Sequence, residues 1–160
     1  MQIFKRTLAA AALTLAAATT AAAQAKAPDF SGQWEMNVAK SELGPMAGAV
    51  TKVNFTVEQS PTKLKYTQSI STVQGDRSMA QEFTLDGKEI TDTLPNGQTA
   101  VRSAKFDGDA LLLVGKLQGT EQGQTTRWTL APDGKTMTVD QQITGTPAGN
   151  LALKFVFDKK

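Results

Sequence analysis

The chain has 160 residues, of which 17 are basic and 15 are acidic, and it contains neither cysteine nor histidine. This composition excludes disulfides, thiolate nucleophiles, imidazole general bases and zinc sites built from Cys or His. Many hydrolase and metalloenzyme mechanisms are excluded with them, and no nucleotide-binding or calcium-binding motif occurs, so the sequence predicts no metal ion and no cofactor.

The N-terminal segment has the three parts of a secretory signal peptide. Lys5 and Arg6 supply the basic region, an Ala- and Leu-rich run follows, and Ala23-Gln24-Ala25 offers small residues for cleavage. We expect cleavage after Ala25 and a mature protein in the periplasm or the medium. A retained membrane anchor is the competing interpretation, but the run is interrupted by threonines and is shorter than the roughly 20 strongly apolar residues that span a bilayer.

Residues 26–160 are predicted to form a single domain after residues 1–25 are removed. Because Lys5 and Arg6 belong to the leader, the other 15 basic residues balance the 15 acidic ones. This neutral balance predicts neither a nucleic acid nor an anionic membrane as a partner. We expect no membrane span after the leader is lost, and the sequence leaves the oligomeric state open.

Short segments in which apolar and polar residues alternate follow one another from residue 33 onward. Val53, Phe55 and Val57, for example, share one face of a predicted strand, and the polar residues between them share the other face. Ten strands are predicted, separated by turn sequences. Their predicted ranges are 33–38, 52–59, 63–70, 78–85, 88–94, 99–106, 110–117, 124–131, 136–143 and 151–158.

The turn sequences indicate hairpins between consecutive strands, because Asn-Gly and Asp-Gly favour the positive φ angles of tight hairpin turns. The sequence therefore predicts an all-β, antiparallel up-and-down meander of about 8–10 strands closed into a small barrel, since closure removes exposed sheet edges. The turn sequences are Asp86-Gly87, Pro95-Asn96-Gly97, Asp107-Gly108-Asp109 and Pro132-Asp133-Gly134.

Two other β architectures compete with this barrel. A two-layer sandwich is one, but short hairpins leave little chain for its long crossovers. An outer-membrane barrel is the other, but it needs strands of about 9–11 residues and aromatic girdles, and this chain has ten aromatic residues. Residues 39–51 and 144–150 have room for a helix or a lid, although Gly44, Pro45 and Gly48 disfavour a long helix in the first.

Two segments of the chain resemble segments of a group of small secreted bacterial proteins described as lipocalin-like. The first is Asp29-Phe30-Ser31-Gly32-Gln33-Trp34-Glu35-Met36-Asn37, followed by Lys40-Ser41, and the second runs from Arg127 to Val139. Gly32-Gln33-Trp34 also resembles the G-x-W motif of lipocalins, in which the tryptophan closes the barrel floor under a late arginine. The last predicted strand has Lys154 in place of that arginine. The resemblance implies a calycin-like barrel, and neither segment is associated with an activity.

Several polar residues share the interior phase of the predicted strands, where an unpaired polar group costs about 1–3 kcal/mol. Together they indicate a wet cavity or ligand contacts, unless the strands end or bulge there and leave them solvated. Either Arg102 or Lys105 is predicted to point inward and pair with a ligand carboxylate, the alternative being an exposed cation. The candidate ligand-binding residues are Phe55, Tyr66, Gln68, Gln81, Phe83, Arg102, Lys105, Leu113, Gln141 and Phe155.

These residues favour the binding of a small apolar or amphipathic molecule in an exported barrel. A packed structural or interaction module of the cell envelope without a ligand is the first alternative, and a cofactor-free enzyme is the second. We predict no catalytic residues, because the acidic residues fall mostly on polar faces and show no pair spacing typical of a glycosidase. The expectation is therefore a binding protein that is not an enzyme.

We predict that the exported chain begins at about Lys26 and is soluble without detergent. Intact-mass measurement of periplasmic or secreted material should show that residues 1–25 have been removed. Retention of these residues, or recovery of the protein from washed membranes alone, would show that the segment acts as an anchor.

Overall fold

The alternating segments form ten strands in the computed structural model, which describes residues 27–94 and 96–160. The predicted leader lies outside the described residues. Along each strand successive side chains point to opposite faces, so one face of the sheet meets the core and the other meets solvent. The strands are β1 (Gly32–Met36), β2 (Val50–Gln59), β3 (Lys63–Thr72), β4 (Gly75–Thr84), β5 (Ile90–Thr93), β6 (Thr99–Asp107), β7 (Ala110–Leu117), β8 (Gly123–Leu130), β9 (Thr136–Thr146) and β10 (Gly149–Lys159).

All ten strands belong to one antiparallel sheet with the order β4-β3-β2-β1-β10-β9-β8-β7-β6-β5. The first strand pairs with the last, and this pairing curls the sheet into a nearly closed barrel. The predicted all-β antiparallel barrel is thus confirmed. Closure pairs most strand edges, which would otherwise be open to other chains.

The meander is interrupted between β4 and β5, which do not pair with each other. The prediction of a hairpin at Asp86-Gly87 is wrong, because the backbone of this turn is hydrogen-bonded to β6 instead of joining two paired strands. Asp86 forms an isolated bridge with Lys105, and the Gly87 N–H donates to the Ala104 carbonyl oxygen at 3.0 Å. The strands β4 and β5 are therefore the two edges of the sheet, and the gap between them is termed the seam below.

Two short 3₁₀ helices, Val38–Lys40 and Gly44–Met46, occupy the connection between β1 and β2. The connection is fastened to the β3–β4 turn, where the Val73 N–H donates to the Ala49 carbonyl oxygen at 3.2 Å. Residues 144–150, the other segment with room for a lid, instead extend β9 and β10 into a hairpin. These connections surround one end of the barrel, termed the open end, and cover it only in part.

The opposite end is closed by packing around Trp34. This side chain is buried, and its Nε1 donates to the Phe30 carbonyl oxygen at 2.9 Å. The Lys159 ammonium lies 5.1 Å from the centre of the Trp34 ring, within cation–π distance. Lys159, and not Lys154, is therefore the late basic residue over the tryptophan. The reason is register, since Lys159 lies opposite Trp34 on β10, whereas Lys154 pairs with Glu42.

Replacement of Trp34 by alanine should strongly destabilise the barrel, because truncation of a buried aromatic side chain costs about 3–5 kcal/mol. Chemical denaturation followed by circular dichroism measures the free energy of unfolding. Val38→Ala is the control, since Val38 is exposed on the first 3₁₀ helix and its truncation should change stability little. Equal stability of Trp34→Ala and the wild type would contradict a closing role for Trp34.

Candidate functional site

A cavity of about 630 Å³ lies inside the barrel and reaches the open end. Its deep wall is apolar, formed by buried side chains that include Phe55, Leu113 and Phe155. Towards the open end the lining changes to exposed residues such as Thr144 and Pro147. The volume falls within the roughly 300–1,000 Å³ that is typical of small-molecule pockets.

Eight of the ten predicted ligand-binding residues line this cavity. Their convergence follows from strand register, because Phe55 lies opposite Gln68 across β2 and β3, and Tyr66 lies opposite Gln81 across β3 and β4. Residues that face each other in neighbouring strands project from the same face of a sheet. The eight are Phe55, Tyr66, Gln68, Gln81, Phe83, Leu113, Gln141 and Phe155.

The two predicted cations of β6 have different positions. Lys105 is exposed on the outer face of the barrel, so it does not join the cavity. Arg102 lies on the inner face, with 21% of its side chain exposed, and it contacts the lining residues Gln81 and Phe83. The structure therefore assigns the inward position to Arg102, which neighbours the cavity without lining it.

Arg102 connects four strands across the seam. Its Nη1 donates to Gln81 Oε1 on β4 at 2.9 Å, and its Nη2 pairs with Asp92 Oδ2 on β5. The Tyr66 hydroxyl on β3 donates to the same Gln81 oxygen at 3.0 Å. The guanidinium carbon also lies 5.0 Å from the centre of the Phe83 ring. These five residues, termed the seam cluster, join the two sheet edges through side chains.

Tyr66 brings an aromatic ring and a neutral hydroxyl to the cavity wall. Its ring centre lies 5.4 Å from that of Phe55 and 5.3 Å from that of Trp128. Burial raises the pKa of Tyr66 to about 12, and the nearby positive charge of Arg102 opposes this rise only in part. The hydroxyl therefore stays protonated at physiological pH and acts as a hydrogen-bond donor.

The lining residues on β7 and β8 that were not among the predicted ones include Gly115, Gln124, Thr126 and Trp128. The sequence contained a signal for two of them, because the alternation of side chains that points Trp128 inward also points Thr126 and Gln124 inward. Trp128 is buried, and its Nε1 has no hydrogen-bond partner among the described residues. An unpaired buried donor of this kind is costly and rare in native structures.

Among the described residues, no group of three His, Cys, Asp or Glu side chains is placed to hold a metal ion. No helix in that part of the chain has the length and apolarity needed to cross a membrane. The side chains that line the cavity are mostly apolar, and Gln68, Gln81 and Gln141 add neutral amides.

No family model and no curated protein matches the chain, but solved structures do. A fatty acid transporter named REP1-NXSQ aligns with a TM-score of 0.58 at 15% identity, over 82% of this chain and 96% of that one. Zebrafish ileal bile acid-binding protein complexed with cholic acid aligns with a TM-score of 0.55 at 17% identity, over 82% and 98%. Fatty-acid-binding protein 1 of Echinococcus granulosus aligns with a TM-score of 0.52 at 12% identity, over 81% of this chain and 96% of that one.

At these identities the similarity concerns the fold alone. The calycin-like barrel implied by the G-x-W resemblance is thereby confirmed, together with the ten-stranded architecture. Membership of the secreted bacterial group stays a prediction.

Tyr66 is the single tyrosine of the chain, so phenolate absorbance at alkaline pH reports its ionisation directly. The folded protein should titrate near pH 12, and the chain in denaturant should titrate near pH 10. Because the unfolded state loses this proton first, the Tyr66 contribution to the free energy of unfolding should be constant below about pH 10. It should then decline as the pH rises towards about 12.

Tyr66→Phe is the control, since it removes the absorbance change. A native midpoint near pH 10 would show that the hydroxyl is solvated and does not lie in the cavity wall.

Proposed function

We propose that the protein binds a small apolar or amphipathic molecule inside its barrel. The observation that carries this proposal is the cavity of about 630 Å³ with its buried apolar wall. Each Å² of apolar ligand surface that this wall removes from water contributes roughly 25 cal/mol to the free energy of binding. Proteins of the same fold whose names include a fatty acid transporter and a bile acid-binding protein support this ligand class.

A packed module without a ligand would need the facing walls of the barrel to touch. The walls do touch where the Phe55 and Tyr66 rings on β2 and β3 each lie 5.3 Å from the Trp128 ring on β8, but the barrel still contains a cavity of about 630 Å³. Native protein interiors are close-packed and have few voids larger than a water molecule. A space of this size therefore supports a binding function over a solid core.

The proposal involves binding without catalysis. The lining supplies amides, hydroxyls and an indole, and a chain without histidine or cysteine lacks the usual general base and the most nucleophilic side chain. These features favour a carrier or sensor of a small molecule over an enzyme.

We also propose that binding takes place outside the cytoplasm. The support is the signal-like segment at residues 1–25. The absence of cysteine is compatible with an oxidising compartment, because the barrel is held by its core and its backbone ladder and needs no disulfide.

A bulky side chain at Gly115 should block the cavity. Gly115 lines it, and an added Cβ would have only the Arg102 Cγ within 4 Å, at 3.8 Å, so the backbone tolerates a side chain there. We expect the uncharged dye Nile red to bind the wild type and to bind Gly115→Phe at least about tenfold more weakly. Fluorescence titration measures both affinities.

Ala152→Phe is the matched control, because Ala152 is exposed and lies outside the lining; its affinity should equal that of the wild type. Equal binding by a folded Gly115→Phe variant would place the dye outside the cavity. A wild type that does not bind the dye would argue for the packed module.

A further inference from the structure

We propose that the preferred ligand is uncharged and carries a hydroxyl or carbonyl oxygen, and that carboxylates are bound poorly. This inference rests on the proposed function and narrows its ligand class. Among the described lining residues, Lys116 is the sole charged side chain. It is exposed, and it lies between Gly115 and Leu117 on β7, so its side chain points to the outside of the barrel.

The guanidinium nearest the cavity is already compensated. Arg102 Nη2 is paired with the Asp92 carboxylate and Nη1 donates to Gln81, while the Phe83 ring covers one face of the group. A ligand carboxylate would have to displace Asp92 or lie beside it, and two carboxylates at one site repel each other. The Arg102–Asp92 pair therefore adds no net positive charge to the cavity wall.

The polar groups that remain unpaired are neutral. Gln68 and Gln141 line the cavity, and their side-chain amides make no hydrogen bond to another described side chain. A hydroxyl or carbonyl oxygen satisfies such donors at little cost. An ionised carboxylate loses far more hydration on burial, and neutral donors return only part of it.

A matched pair of ligands tests the inference: dodecan-1-ol and dodecanoate have the same chain and differ in charge at neutral pH. Each is titrated against the complex of the wild type with Nile red, and displacement gives its affinity. We expect the alcohol to bind at least about tenfold more tightly than the carboxylate.

Asp92→Asn should reverse part of this preference, because it leaves Arg102 without its counter-charge. We expect dodecanoate to gain about tenfold in affinity. Dodecan-1-ol should bind unchanged, because an amide oxygen at this position can still accept the Arg102 hydrogen bond and keep the sheet edges together. Asp107→Asn is the matched control: Asp107 also pairs with an arginine, Arg127 at 2.6 Å, but both side chains lie on the exposed surface outside the lining. It should alter neither affinity.

Dodecanoate binding to the wild type as tightly as the alcohol would overturn the inference and leave the proposed function standing. Failure of Nile red and of both ligands to bind would instead remove the proposed function, and the inference with it. If circular dichroism shows that Asp92→Asn is unfolded, the ratio measured on the wild type decides alone.

Discussion

A barrel built from one sheet must bring its two edge strands together, and in this protein side chains link β4 directly to β5. The β1–β10 ladder joins the first strand to the last, but β4 and β5 share no backbone ladder. Arg102 bridges them because a guanidinium carries five donors in a fixed fork and can serve two partners at once. Its bonds to Gln81 and Asp92 therefore restrain how far apart the edges stand, and with them the width of the cavity.

The same pairing shapes the chemistry of the interior. Asp92 neutralises the cation that closes the seam, so the closing interaction leaves no free charge in the wall. Trp34 and Lys159 close one end, whereas short connections leave the other end open. Between these ends the lining is mostly aromatic and aliphatic, with neutral amides and hydroxyls interspersed. This lining suits a largely apolar molecule with a neutral polar group.

Much of this arrangement could be predicted from the sequence, because side-chain alternation fixes which residues share a face. Phe55, Gln81 and Gln141 were placed correctly for that reason. The seam could not be predicted, since the Asp86-Gly87 turn is a local signal and its pairing with β6 is a long-range contact. The choice between Arg102 and Lys105 likewise depended on register, which a strand without a clean apolar face does not specify.

The central claim is that a ligand lies inside the barrel. Intermolecular nuclear Overhauser effects between methyl-labelled protein and bound dodecan-1-ol test it directly. We expect contacts from the ligand chain to methyl groups of Leu113 and Val139, which line the cavity and are buried. Contacts confined to Val38 and Val73, which are exposed and lie outside the lining, would contradict it.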